Sequence, residues 1–385
     1  MTKICFICNG YPYKNMPEYV FVKNVVDQIA DLGFQCTVIA PQSILKILKV
    51  KKIKPIKWAY KTKNDNTVEV YHPYYMSFSN LKFFKVGLSS LFFTKAVKKI
   101  YNKLGKQDII YSHFWDCGIV AANIQKQNEN IPIVVANGES QIRVKKMFPQ
   151  YIIDKSLNKI KAVICVSNKN KKESLELGLI KSFMNVKIIP NGVDSEKFYY
   201  YNKKYLARKN LGFDYDCKIG IFVGSFIQRK GIKIIEEAVK NIENVRMIYV
   251  GKGKYKPSEY LFCGSVANDQ LIHYLNSADF FVLPTLAEGC CNAIIEAMAC
   301  GLPIISSDLD FNYDILDKSF SILINPLSVQ EVSKAIKLVI NDHNLYLQLK
   351  KGSLLKSKDL TLKKRGYKIR DLIEEILNKN EKISN

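Results

Sequence analysis

Two successive series of short apolar runs, alternating with helix-patterned stretches, constrain this chain more than any other feature. In the first series "KICFIC" leads into "VFVKNVVDQIADLG", whose apolar residues recur at helical spacing up to Gly33, and "QCTVIA" follows. Later strand-like runs are "DIIYSH" (108–113), "IPIVVAN" (131–137), "AVICVS" (162–167) and "VKIIPNGVD" (186–194), with helices such as "GIVAANIQKQ" between them. The polar, tyrosine-rich tract "EKFYYYNKKYLARKNLGFDYDC" (196–217) breaks the pattern. A second series then runs "KIGIFVGS", "GIKIIEEAVKNI", "VRMIYVG", "YLFCGS", "NDQLIHYLNSA", "DFFVLPT", "NAIIEAMACG" and "LPIISSD". Such alternation predicts parallel sheets covered by helices on both faces, and 385 residues exceed one ordinary core. The expectation is an α/β protein of two doubly wound domains facing across a cleft. The first covers residues 1–190, with a C-terminal helix of about 362–385 packing back on it, and the second covers 191–361. Ligands of such sheets sit beyond the carboxyl ends of the strands, where every motif below falls.

Charge narrows the partners. Residues 1–190 hold 30 Lys and Arg against 12 Asp and Glu, whereas residues 191–385 hold 28 against 23. A basic first half calls for an anionic partner: nucleic acid, a phospholipid surface or a phosphorylated substrate. Two stretches, "ILKILKVKKIKPIKWAYKTK" (44–63) and "NLKFFKVGLSSLFFTKAVKKIYNKLG" (80–105), mix lysine with Ile, Leu, Phe and Trp. That composition suits segments lying on anionic lipid, and equally suits amphipathic helices whose apolar faces pack on the domain. No run reaches the roughly 18 apolar residues of a membrane-spanning helix. The N-terminus lacks a small-residue cleavage site and reads as a first buried strand, so the expected location is cytoplasmic, peripheral on the inner leaflet of the membrane. Cys5 and Cys8 form a C-x-x-C inside "ICFIC", where alternation sends their side chains to opposite faces of a strand, as core residues of a reducing compartment. Four histidines argue against a multi-histidine metal site.

Three loops carry chemistry. "FVGSFIQRKG" (222–231) runs strand, loop, helix; Gly224 and Ser225 admit close approach, Arg229 and Lys230 supply charge, and helix-start N–H groups complete a phosphate cradle. An ordinary turn with two solvated cations fits the same residues. "VGKGKY" (250–255) is a second glycine loop, suited to shaping the pocket for a base. "EGCCNAIIEAMACGLPIISSD" (288–308) keeps Glu288 and Glu296 in an otherwise apolar stretch, with Asn292 placed as helix N-cap and Gly301 as terminator. Backbone N–H groups of Gly289, Cys290, Cys291 and Asn292 would face an anion there. The two carboxylates would accept paired hydrogen bonds from vicinal hydroxyls such as those of a ribose and a hexose.

The chain resembles the family 4 glycosyltransferases, the retaining, nucleotide-sugar-dependent group with two Rossmann-like domains known as the GT-B fold. The resemblance rests on "NGYP…VFVKNVVDQIADLGFQCTVIAP", "VICVSNKNKKESLELG", "VKIIPNGVDSEKF", "VGSFIQRKG" and, above all, "DFFVLPTLAEGCCNAIIEAMACGLPIISSD", where a glutamate is followed after seven residues by a second and then by "AMACG". It implies that Glu288 faces the donor sugar, that Glu296 holds the nucleotide ribose, and that Lys230 and Arg229 bind the pyrophosphate. It also implies that residues 289–292 present N–H groups to the donor and that His113 lies near the reacting sugar. No cofactor or metal is implied, only a nucleoside-diphosphate sugar, with UDP the commonest carrier, and a saccharide or lipid-linked saccharide acceptor in surface polysaccharide or glycolipid synthesis. Three places depart from the family pattern: Gly10, which the resemblance sets on the donor side, is the only glycine near the first loop where the donor phosphate approaches; Ser225 stands where arginine is usual; and Asn137, Gly138 and Glu139 replace a His-Gly pair on the acceptor side. A GT-B epimerase and a non-enzymatic polyanion-binding scaffold are the competing readings. The scaffold predicts charge spread over both halves, and nucleic acid is not expected as a partner.

Overall fold

A computed structural model describes residues 1–14, 16, 18–78, 81–83, 86–126, 129–213 and 216–384. Its internal contacts fall into two units: Met1–Val166, Asn170–Ile189 and Gly366–Asn385 make the first, and Ser167–Lys169 with Pro190–Arg365 the second.

The first unit holds an eight-stranded sheet of β1 (Lys3–Ile7), β2 (Gln35–Ile39), β3 (Lys57–Lys61), β4 (Thr67–Tyr71), β5 (Ile109–His113), β6 (Ile133–Asn137), β7 (Ile160–Cys165) and β8 (Asn185–Ile188). Their spatial order is β8-β7-β6-β5-β1-β2-β4-β3, parallel except for the β3–β4 pair. Side-chain alternation along β1 splits the core between the two faces. Ile4, Phe6 and Cys8 join one apolar cluster with Val22, Val26 and Ile29, while Cys5 and Ile7 join another with Val97, Trp115 and Ile119. The C-x-x-C is therefore two buried core residues on opposite faces, both free thiols. Helix Val20–Asp31 buries Val22, Val25, Val26, Ile29 and Ala30, a stripe at helical spacing, and the chain leaves it through Gly33 at φ 94°. From the other end of the sequence, helix Leu362–Ser384 adds Ile369, Leu372, Ile373 and Ile376 to the same face.

The two lysine-apolar stretches resolve differently. Residues 44–63 are not one interfacial segment: Ile44–Val50 is a short helix, and Lys57–Lys61 is the antiparallel edge strand β3, whose exposed lysines suit a sheet edge. In residues 80–105, Asn80, Phe84 and Lys85 lie outside the described residues. Helix Leu88–Tyr101 within that stretch turns Phe93, Ala96, Val97, Ile100 and Tyr101 into the core, so packing on the domain accounts for it.

The second unit is a six-stranded, fully parallel sheet of β9 (Lys218–Val223), β10 (Val245–Val250), β11 (Phe262–Gly264), β12 (Phe280–Leu283), β13 (Ile304–Ser307) and β14 (Ser321–Ile324). The order is β11-β10-β9-β12-β13-β14, so the chain runs outward from β9 on one side, returns to the centre, and runs outward again from β12. Such a reversal leaves a crevice at the carboxyl ends of the two central strands. In the first unit the reversal falls between β1 and β5.

Candidate active site

In the second unit the loops after β9 and β12 meet at this reversal. The β9 loop leaves the sheet through Gly224, whose N–H donates to Val250 O (3.0 Å). It then runs beside the β10 loop: Phe226 N–H donates to Lys252 O (2.9 Å) and Tyr255 N–H to Phe226 O (3.0 Å). A Cβ on Gly251 or Gly253 would strike the Gly224 or Phe226 carbonyl, which is why "VGKGKY" needs its glycines: they serve backbone approach. Gln228–Lys230 form one 3₁₀ turn, closed by Gly231 at φ 74°, where a Cβ would run into the Pro284 carbonyl of the β12 loop.

That contact brings the charges together. Lys230, 8% exposed, lies with its alkyl stem against Gly224 and places Nζ 2.5 Å from Glu288 Oε1. Arg229 Nη1 stands 3.2 Å from the same oxygen and donates to the Ala287 carbonyl, while Leu286 N–H donates to Arg229 O (2.9 Å). Thr285 Oγ1 donates to Glu288 Oε1 at 2.8 Å, and Ser307 Oγ from β13 donates to Thr285 O at 2.6 Å. Glu288 thus carries two cations and a hydroxyl, mostly shielded from water. Loss of either cation leaves Glu288 with the other, so each contributes about 1.5–3 kcal/mol, as a hydrogen bond to a charged group does.

Helix Asn292–Ala299 begins just beyond. Its N-cap is Cys291, so Asn292 is the first helical residue and not the cap expected from the sequence; the extended backbone at Cys291 sets the boundary. Burial pushes the thiols of Cys290 and Cys291 up to about 12 and about 11, so both side chains are neutral near pH 7. Asn191 Nδ2 holds the Cys290 carbonyl at 3.0 Å. Asn292 and Glu296 lie one turn apart on one helix face. Asn292 Oδ1 has no hydrogen-bond partner among the described residues, and burial, partly offset by Lys197, raises the Glu296 carboxyl from 4.5 to about 7. Ser225 is exposed at the loop tip.

The first unit's reversal is built otherwise. His113 closes β5, 5% exposed, with its ring 5.2 Å from that of Phe21 and 4.8 Å from that of Phe114, measured between centroids. Phe114 has φ 81°, a conformation rare for a side chain of that bulk. Asn9 Nδ2, after β1, donates to Asp116 Oδ2 (2.8 Å) and ties the two central loops together. Asp116 was missed in the sequence, although it lies three residues beyond His113. Gly10 is buried under the Tyr19 ring, which a Cβ would strike, so packing alone accounts for its lack of a side chain. Asn137 is fully buried and donates to Ser174 Oγ (2.9 Å), Gly138 packs on Val166, and half-buried Glu139 accepts from Trp115 N–H (3.4 Å). Of the three, Asn137 belongs to the scaffold. In unit 2, Arg229, Lys230 and Glu288 therefore meet, with Gly224 against the Lys230 stem and Gly289–Asn292 and Glu296 following along the chain, while Ser225 stands apart at the loop tip and His113, Asn137, Gly138, Glu139 and Gly10 belong to the other unit.

The model for Glycosyltransferase Family 4 matches residues 20–197, and that for Glycosyl transferases group 1 matches residues 217–342. A teichuronic acid biosynthesis glycosyltransferase of Bacillus subtilis, TuaC, is 27% identical over 356 residues, spanning 87% of this chain and 88% of the relative. A UDP-Gal:alpha-D-GlcNAc-diphosphoundecaprenol alpha-1,3-galactosyltransferase of Escherichia coli is 28% identical over 314 residues, spanning 74% of this chain and 80% of the relative. Among solved structures, Anabaena HepE in complex with UDP and glucose superposes with a TM-score of 0.71 at 17% identity, covering 97% of this chain and 100% of that one. Two family models in tandem, relatives that align along most of their length and a shared two-sheet fold agree: the chain belongs to the family 4 glycosyltransferases and is a GT-B transferase.

Proposed function

We propose that this transferase moves a sugar from a nucleoside-diphosphate donor carried on UDP to a hydroxyl of a lipid-linked saccharide. The setting is the assembly of a surface polysaccharide at the inner leaflet of the cytoplasmic membrane. The observation that carries the donor half is the shielded Lys230–Glu288 pair at the second unit's strand-order reversal, 2.5 Å long and flanked by Arg229 and by the start of a helix. A diphosphate is the ligand such a cation and such N–H groups suit. The acceptor half is supported by the lipid-diphosphate substrate in the Escherichia coli relative's name, and the UDP carrier by the HepE complex.

In this reading residues 190–365 bind the donor and the first unit receives the acceptor. Lys230 draws the diphosphate, Glu296 accepts hydrogen bonds from the ribose hydroxyls, and Glu288 does so from the sugar. The acceptor oxygen attacks the anomeric carbon on the face the diphosphate leaves, the bond to the phosphate oxygen breaks, and the hydroxyl proton passes to the departing diphosphate. Configuration is retained. Charge growing on the leaving group is stabilised by Lys230 and by N–H groups of Gly289–Asn292, fixed in place before the reaction. His113, Asp116 and Glu139 border the acceptor sugar.

A thermal-shift panel of UDP, GDP, CDP and ADP, followed by a screen for transfer or slow hydrolysis of the matching sugar donors, tests this. Selective stabilisation by UDP is the expected result. No stabilisation by any of the four rules out the donor assignment.

A further inference from the structure

One surface of the first unit is left over by the reaction just described. Gln42 anchors both ends of a short excursion of the chain: its side-chain oxygen accepts from Lys54 N–H (3.0 Å), and its amide nitrogen donates to Lys54 O (2.7 Å) and His72 O (3.1 Å). Between these ends the chain leaves the sheet as helix Ile44–Val50, capped by Ser43 Oγ on Lys46 N–H, and returns through residues 51–54. The helix has no buried residue at all. Several apolar side chains are exposed on it: Leu45 is 45% exposed, Leu48 68% and Val50 49%, followed by Ile53 at 58% and Ile56 at 50%. Lys46, Lys49, Lys51 and Lys52 are exposed among them, and residues 42–63 hold eight lysines without one Asp or Glu.

Exposed leucine at i and i+3 costs solubility, and a helix without one buried residue adds little apolar burial to the fold. Interleaved lysines make it suited to a partner both apolar inside and negative outside. A bilayer containing anionic phospholipid has that chemistry: aliphatic side chains enter the acyl boundary while ammonium groups stay among the phosphates. A single-stranded nucleic acid would call for exposed aromatic rings to stack on, and residues 43–56 have none.

We propose that the excursion 43–56 is a membrane-docking surface for anionic phospholipid bilayers. Lys46 joins it to the neighbouring loop through Glu18, whose two carboxylate oxygens lie 2.8 Å from Nζ. The same loop carries Tyr19, whose ring covers Gly10 and lies 5.5 Å from that of Phe21, the neighbour of His113. Docking would therefore bring the His113 end of the first sheet close to the lipid surface, where a lipid-linked acceptor is presented. Docking rests on the proposed reaction for its purpose, the delivery of a lipid-linked acceptor. Vesicle binding is measured without donor or acceptor, so its failure leaves the UDP result standing.

The test is co-sedimentation of the full chain with equimolar phosphatidylglycerol–phosphatidylcholine vesicles and with pure phosphatidylcholine vesicles, at low and high salt, beside heparin affinity. The expected result is binding to the anionic vesicles only, weakened by salt. Lys49→Gln/Lys51→Gln/Lys52→Gln should weaken it by roughly 100-fold, at about fivefold per lysine near the surface. Leu45→Ser/Leu48→Ser should weaken vesicle binding at least roughly tenfold and leave heparin retention unchanged. All five positions are exposed, so melting temperatures should match the wild type. No wild-type binding to anionic vesicles overturns the proposal. So does a leucine variant that binds vesicles as the wild type does, an outcome that points to a soluble polyanion or an acidic protein.

Discussion

The two strand-order reversals, β1/β5 in the first unit and β9/β12 in the second, are the same topological feature filled with opposite chemistry. At β9/β12 two cations converge on one carboxylate oxygen, and a helix start lies beside them. At β1/β5 the neighbours of His113 are the rings of Phe21 and Phe114, with Asp116 and Glu139 close by in the chain fold. Parallel sheets dictate where a ligand sits; loops of about ten residues decide which ligand it is. In the proposed reaction the diphosphate goes to the β9/β12 setting, and a neutral, polyhydroxylated sugar, with carboxylates for its hydroxyls and rings for its faces, goes to β1/β5.

The sharpest way to break this contrast is at Lys230. Lys230→Met should lower turnover roughly 100- to 1,000-fold, the usual effect of losing one preorganised electrostatic contact. It should also cost about 2 kcal/mol in urea denaturation, because Glu288 loses its buried counter-charge and keeps only the more exposed Arg229 and the Thr285 hydroxyl. Adding Glu288→Gln should restore most of the stability and none of the turnover; a double variant as unstable as the single one would show that the pair is not coupled. Next comes Arg229, whose guanidinium reaches Ala287 O and Glu288. If it holds that segment in place, Arg229→Lys should lower kcat about 30-fold, roughly 2 kcal/mol for two charged hydrogen bonds, with UDP affinity nearly unchanged. A loss confined to UDP affinity would make Arg229 a phosphate ligand instead.

A smaller effect is expected from pH. The Glu296 carboxyl, raised to about 7 by burial, accepts hydroxyl hydrogen bonds best when ionised, so UDP affinity should tighten about tenfold between pH 6 and 8. Glu296→Gln should flatten the profile. Stability has the opposite sign: the folded chain holds this proton between 4.5 and about 7 while the unfolded chain has released it. The contribution of Glu296 is thus complete below that window and lost as pH rises through it. Least affected should be Asp116→Asn, which keeps shape and removes charge: acceptor KM should rise about fivefold with UDP affinity untouched, about 1 kcal/mol, the difference between a charged and a neutral hydrogen bond. Weaker UDP binding in that variant would blur the division between the two reversals.

Much of the site was legible because its residues sit in local patterns. Glu288 and Glu296 stand out as carboxylates in an apolar stretch, and Arg229–Lys230–Gly231 follow a strand and precede a helix. Other features were not. "KWAYK" looks like the continuation of a lysine-rich helix, and only pairing with β4 makes it an edge strand. Gly10 looks like a phosphate-loop glycine until the Tyr19 ring is seen to cover it. Asp116 has no flanking signal, and its place at the reversal comes from Asn9, 107 residues away.

Periodicity, turn residues and charge distribution are properties of neighbouring residues, so the chain alone determined its strands, its helices, the two-series architecture and the loops that carry charge. Which loops meet was decided only in three dimensions. Lys230 and Glu288 are 58 positions apart, with β10 and β11 between them in the chain, yet β12 lies directly beside β9 in the sheet. That adjacency depends on burying both strands in one core, and side-chain packing across a sheet leaves no mark on the short-range pattern of either strand.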